Sequence, residues 1–122
     1  MSVARKSIAT IKGKTVAIIG GGIGGLTAAF AFCKREAIVT VYEQATDLRE
    51  VGAGVQITPN GARVLNALDV HPNGVIAKAV VPLDGLSGKP VTRFDLSRKT
   101  PAYIFVHRAE LIGSLAAACE TN

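Results

Sequence analysis

At 122 residues the chain is one domain at most, and 48% hydrophobic residues with a mean hydropathy of +0.33 is high for a small free-standing domain. The formal charge of +5 is scattered over Arg5, Lys6, Lys12, Lys14, Lys34, Arg35, Arg98 and Lys99, with sparse aromatic residues that are not interleaved with it, which speaks against nucleic acid as a partner. Cys33 and Cys119 form no CxxC pair, so reduced structural thiols and a cytoplasmic location are expected.

Residues 1–13 read as a loose basic tail with no apolar core of a secretory signal, and 14–122 as the folded part. The apolar run Thr15–Ile19 predicts a first strand. Glycine then fills five of the six positions from Gly20 to Gly25, and a helix is predicted from Ile23 to Arg35, apolar nearly all round and therefore buried. The uncharged window from Thr15 to Cys33 has the length of a membrane span. Its central glycines make a strand, turn and buried helix the better reading, and no membrane partner is expected. Ile38–Tyr42, rich in β-branched residues, predicts a second strand with Glu43 at its tip.

This layout is that of a dinucleotide site. A strand feeds a turn too tight for side chains, and the helix that follows aims unpaired backbone N–H groups and its positive dipole end at a pyrophosphate. Gly20 supplies the sharp turn, Gly22 the close backbone approach to phosphate, and Gly25 the tight contact of helix with strand. Glu43 stands 18 residues past Gly25, where a carboxylate accepts hydrogen bonds from the ribose hydroxyls of an adenosine.

Downstream, Gln44 to Ile57 has no helical period, holds Gly52 and Gly54, and reads as a long excursion. Thr58 and Pro59 mark a helix start, with the threonine hydroxyl as N-cap and Val64, Leu65 and Leu68 on the apolar face. A short helix is predicted over Pro72 to Val80. Val91 to Leu96 then alternates as an edge strand or hairpin partner, Tyr103 to Val106 forms a strand, and a final helix starts at Arg108 and runs through Leu111, Leu115 and Ala118. His71 and His107 lack metal-ligand spacing, and no Ser/His/Asp set stands out.

Four segments together, GGGIGGLTAAFAF, the strand ending VYEQ, the loop LREVGAGVQITPNGARVL, and VHRAELIGSL, resemble in that order the N-terminal third of the FAD-dependent aromatic-ring hydroxylases, group A flavoprotein monooxygenases of the salicylate and 3-hydroxybenzoate hydroxylase kind. The REVGAG and HRAEL segments are its most specific parts. The resemblance implies an α/β fold: a Rossmann-like FAD-binding βαβ unit with additional helices and strands, incomplete relative to the full hydroxylase. It implies that Gly20, Gly22 and Gly25, with backbone from Ile23 and Gly24, hold the FAD pyrophosphate, that Glu43 holds the ribose, and that Arg49 and Arg108 reach the cofactor. In such enzymes NAD(P)H reduces the flavin, which forms a C4a-hydroperoxide with O2 that hydroxylates a small phenolic substrate.

Two departures stand out. Glu36 follows the first helix where the family usually has glycine, and the family's later motifs are not in the chain. The 122 residues alone are therefore expected to be inactive. Three readings remain: the FAD-binding portion of a hydroxylase, an NAD-binding module of another oxidoreductase, and a non-catalytic remnant that binds a partner, or itself, through uncovered apolar surface.

Overall fold

The computed structural model describes residues 10–45 and 53–121. Its first unit is β1 (Thr15–Ile19), α1 (Ile23–Cys33) and β2 (Ile38–Tyr42), with β1 and β2 parallel and in register from Thr15 opposite Ile38 to Ile19 opposite Tyr42. Parallel pairing demands a crossover, and α1 supplies it on one side of the two strands. Alternation then divides the ladder: Val16, Ile18, Val39 and Val41 are partly covered, whereas Thr15, Ala17, Ile19, Ile38, Thr40 and Tyr42 face outward. Ile19 is 83% exposed, Ile38 61% and Tyr42 57%, so one side of the parallel pair has no cover among the described residues.

The second unit follows from β3 (Gly54–Ile57), α2 (Pro59–Leu68), β4 (Val75–Ile76), β5 (Ala79–Val80), β6 (Phe94–Asp95), β7 (Ile104–His107) and α3 (Arg108–Glu120). β7 lies between β3 and β4, antiparallel to both, and β5 pairs with β6 in a separate hairpin. A hydrogen bond of 2.6 Å from the Tyr103 hydroxyl to Gln56 Oε1 ties the approach to β7 to β3. The core forms where α1, α2 and α3 meet Ile57 of β3 and Val106 of β7. Leu115 of α3 is fully buried, in one cluster with Leu26 and Phe30 of α1, Leu65 and Leu68 of α2, and Leu111.

Several sequence expectations change. The stretch read as an excursion to Ile57 ends in β3, and Pro72 to Val80 is not a helix but carries β4 and β5. α1 ends at Cys33, two residues before Arg35, and buries Leu26, Ala29 and Phe30 while its other apolar residues stay partly accessible. Thr58 occupies the N-cap of α2 with extended backbone, but its hydroxyl makes no capping bond; its carbonyl accepts the Ala62 N–H at 2.9 Å instead. Among the described residues, no helix is long and apolar enough to cross a membrane.

The end of α1 carries the strain that its sequence implies. Glu36 has φ +62°, the left-handed conformation that favours glycine, and its N–H donates to the Cys33 carbonyl at 2.8 Å while the Ala37 N–H reaches back to Phe32 at 3.2 Å. The Glu36 carboxylate pairs with Lys12, and the Gly13 N–H donates to the Glu36 carbonyl at 2.8 Å. Asp69, at the C-cap of α2, is likewise left-handed with φ +61°. Lys34 joins these two helix ends: its ammonium donates to the Leu68 carbonyl at 3.1 Å and lies 5.4 Å from the Phe30 ring centroid.

Candidate functional site

The site is built where β1 runs out. Gly20 has φ +100°, a conformation that a side chain would strain, and here the chain turns off the strand direction. Its N–H still donates to the Tyr42 carbonyl at 2.7 Å, extending the β1–β2 pairing by one rung. Gly22 is the N-cap of α1, and the Leu26 N–H returns to its carbonyl at 2.9 Å. A Cβ on Gly25 would stand 1.9 Å from the Gly20 carbonyl oxygen and 3.4 Å from Ile18 Cγ2, so this position must lack a side chain for α1 to sit on β1. At Gly22 and Gly24 a Cβ would meet nothing within 4 Å, which leaves the outer side of the loop open.

The first turn of α1 holds no acidic residue, and Gly22 offers no side-chain cap. The leading N–H groups of the helix, with the positive end of its dipole, therefore face the open side of the loop, an arrangement that suits a phosphate anion.

Glu43 follows β2 and bends back to the loop. Its Oε2 accepts the Gly21 N–H at 2.5 Å and its Oε1 accepts the Ala45 N–H at 2.8 Å. These donors, Ala45 first and Gly21 next, hold the carboxyl below its ordinary range, so Glu43 is ionised at neutral pH and accepts hydrogen bonds only. An open loop of N–H donors beside a fixed carboxylate fits the ADP half of a dinucleotide.

The two arginines stand differently. Arg49 lies outside the described residues. Arg108 is half-buried as the first residue of α3, at the β7–α3 junction, and its N–H donates to the Ala53 carbonyl at 2.9 Å. Sequence reasoning did not identify the neighbouring His107 as the N-cap of α3, where its Nδ1 accepts the Ala109 N–H at 3.3 Å. Its position just before a predicted helix was the available signal. The Gly21–Glu43 bond had no such signal, because glycine brings only a main-chain donor to it.

Away from the loop, Cys33 and Cys119 are free thiols, and burial, with Cys33 and Glu120 nearby, pushes the Cys119 thiol up and keeps it protonated.

Residues 18–73 match the family model of an NAD(P)-binding Rossmann-like domain. The chain is 33% identical over 113 residues to 3-hydroxybenzoate 6-hydroxylase 1 of Aquipseudomonas alcaligenes, a match covering 85% of this chain and 29% of the relative. It is 38% identical over 109 residues to the 3-amino-4-hydroxybenzoate 2-monooxygenase PtmB3 of Streptomyces platensis, covering 82% of this chain and 28% of that one. Among solved structures, Klebsiella pneumoniae HpxO complexed with FAD and uric acid superposes with a TM-score of 0.70 at 28% identity, over 85% of this chain and 28% of that one. The chain thus spans less than a third of the length of these relatives. Over that span the chain is similar to these proteins in sequence and in fold.

Proposed function

We propose that the chain is the FAD-binding portion of an NAD(P)H-dependent monooxygenase that hydroxylates a small phenolic substrate. The observation that carries this reading is the joining of the glycine turn at the N-terminus of α1 to an ionised Glu43, within a chain similar to aromatic hydroxylases. Gly20 and Gly25 shape the turn. The backbone of Gly22, Ile23 and Gly24 holds the pyrophosphate, and Glu43 takes the adenosine ribose and rejects a 2′-phosphate there by charge. The resemblance adds two further cofactor contacts, Arg49, outside the described residues, and Arg108, at the head of α3. When bound, the flavin supplies the redox and oxygen-activating chemistry. This chain's residues bind and orient its adenine half. Two thiols that are not joined to each other fit a reducing compartment, and we place the protein in the cytoplasm.

A second reading, an NAD-binding module, is favoured by the match to an NAD(P)-binding Rossmann-like domain, because the two dinucleotides share their ADP half. Equilibrium dialysis of the purified chain against FAD and against NAD separates the two, with bound flavin counted per chain after denaturation. Stoichiometric FAD, held more tightly than NAD, is the expected result. Retention of NAD in preference to FAD would reverse the assignment.

A further inference from the structure

The ladder between β1 and β2 ends in an unusual way. Gly20 donates to a main-chain carbonyl, that of Tyr42, but at φ +100° the chain turns off the strand and its next donor, the buried Gly21, has no strand carbonyl to meet. The Glu43 side chain takes over, with Oε2 on the Gly21 N–H at 2.5 Å. Its other oxygen does not swing freely, since the Ala45 N–H holds Oε1 at 2.8 Å.

The geometry points to a second role for Glu43: it is a positioning residue that latches the glycine loop to the end of β2 before any cofactor arrives, so that the loop's open side is preformed. This rests on the proposed dinucleotide reading for its purpose, but not for its existence. A carboxylate has about four lone-pair sites. Two are used by Gly21 and Ala45, which leaves capacity for the ribose hydroxyls without opening the latch. One ionised side chain therefore fixes both the place of the sugar and the shape of the phosphate cradle. A glutamine cannot do the same, because its amide nitrogen would present a donor to one of two N–H donors.

The test uses the ligand-free chain, where a residue that only holds ribose has no work to do. In Glu43→Ala, amide exchange at Gly21 is expected to accelerate at least about tenfold, the loss of one charge-assisted bond, and in Glu43→Gln exchange is expected to accelerate at whichever of Gly21 and Ala45 the amide nitrogen faces. The Leu65 amide in α2 is expected to stay unchanged. Unaltered protection of Gly21 in folded Glu43→Ala, or of both Gly21 and Ala45 in folded Glu43→Gln, overturns the latch. In the wild-type chain, which needs no substitution to fold, the Gly21 and Ala45 amide proton shifts should follow a single titration shared with the Glu43 carboxyl carbon. A Gly21 shift that is flat through that titration would equally overturn it. The cofactor reading fails separately, by absence of FAD binding in a chain whose Gly21 amide still reports the latch.

Discussion

Gly25 faces the main-chain carbonyl of Gly20 at a separation that leaves no room for one further carbon: the Cβ of an alanine would lie 1.9 Å from that oxygen. Neither partner is a flexible side chain, so relief requires α1 to move off β1. Gly25→Ala is expected to cost about 1 to 3 kcal/mol in urea unfolding, in the range of overpacked sites, and to abolish flavin binding. Gly24→Ala, one residue earlier in the same helix with nothing within 4 Å of the new carbon, is expected to raise the urea midpoint of the ligand-free chain. The gain should be about 0.5 kcal/mol, from helix propensity. Equal destabilisation by both variants would mean that the α1–β1 contact is not the reason for Gly25.

Gly22 separates cofactor binding from folding. Its surroundings are open within 4 Å, so Gly22→Val should fold, losing about 1 kcal/mol for the poorer N-cap. The branched side chain would nonetheless stand where phosphate oxygens must approach backbone. Apoprotein with a near-normal urea midpoint is the expected result, and full flavin content would show that the loop does not approach phosphate closely.

Glu36→Gly should stabilise the chain. A left-handed glutamate is strained by its Cβ, a cost of about 1 to 2 kcal/mol, and glycine removes it while adding unfolded-state freedom of about 0.5 to 1 kcal/mol. The Lys12 pair that would be lost is solvent-exposed and offsets little. A rise of about 0.5 to 1 kcal/mol in urea unfolding at unchanged slope is the expected net. A lower midpoint would assign Glu36 an essential contact through Lys12, which Lys12→Ala would then reproduce.

Acid should release the loop in a defined direction. The Ala45 and Gly21 N–H groups depress the folded-state value of Glu43, so its contribution is complete above the ordinary glutamate value of about 4.3 and is lost as pH falls through the lower folded value. Asp84 and Asp95, held low by Ser87 and Ser97, act with the same sign elsewhere and are common to wild type and variant. The difference in urea midpoint between wild type and Glu43→Gln should therefore be constant near neutrality and vanish only once the pH has fallen below the depressed folded value. A difference that persists in acid would rule out a charge-dependent role.

The parts of the fold legible in the sequence are those made by neighbours. β1, β2 and the start of α1 follow from a β-branched run, a glycine turn and an apolar helix, all within 28 residues from Thr15 to Tyr42, and the left-handed Glu36 follows from the short reversal between them. What escaped the sequence depends on distant partners. β3 has only four residues, starts on glycine and includes polar Gln56, and β7, which pairs with it, lies nearly fifty residues away. The two-residue β4 exists because Ile104 and Phe105 are there to receive it, while Pro72 to Val80 taken alone has enough apolar residues to pass for a helix. The glycine and Glu43 positions were readable from spacing. Their direct bond was not, since it depends on where the main chain turns at Gly20.

The bare side of the β1–β2 ladder has a kinetic consequence. Ile19 and Tyr42 lie directly opposite each other there, with Ile38 at the far end of the same side, so two such ladders meeting face to face would remove apolar surface from water. On dilution from urea, intramolecular closure of the core, independent of concentration, competes with a bimolecular encounter that is not. The yield of refolded monomer should fall as chain concentration rises, with light scattering growing in step. Ile19→Lys, which charges that surface without touching the core, should flatten this dependence.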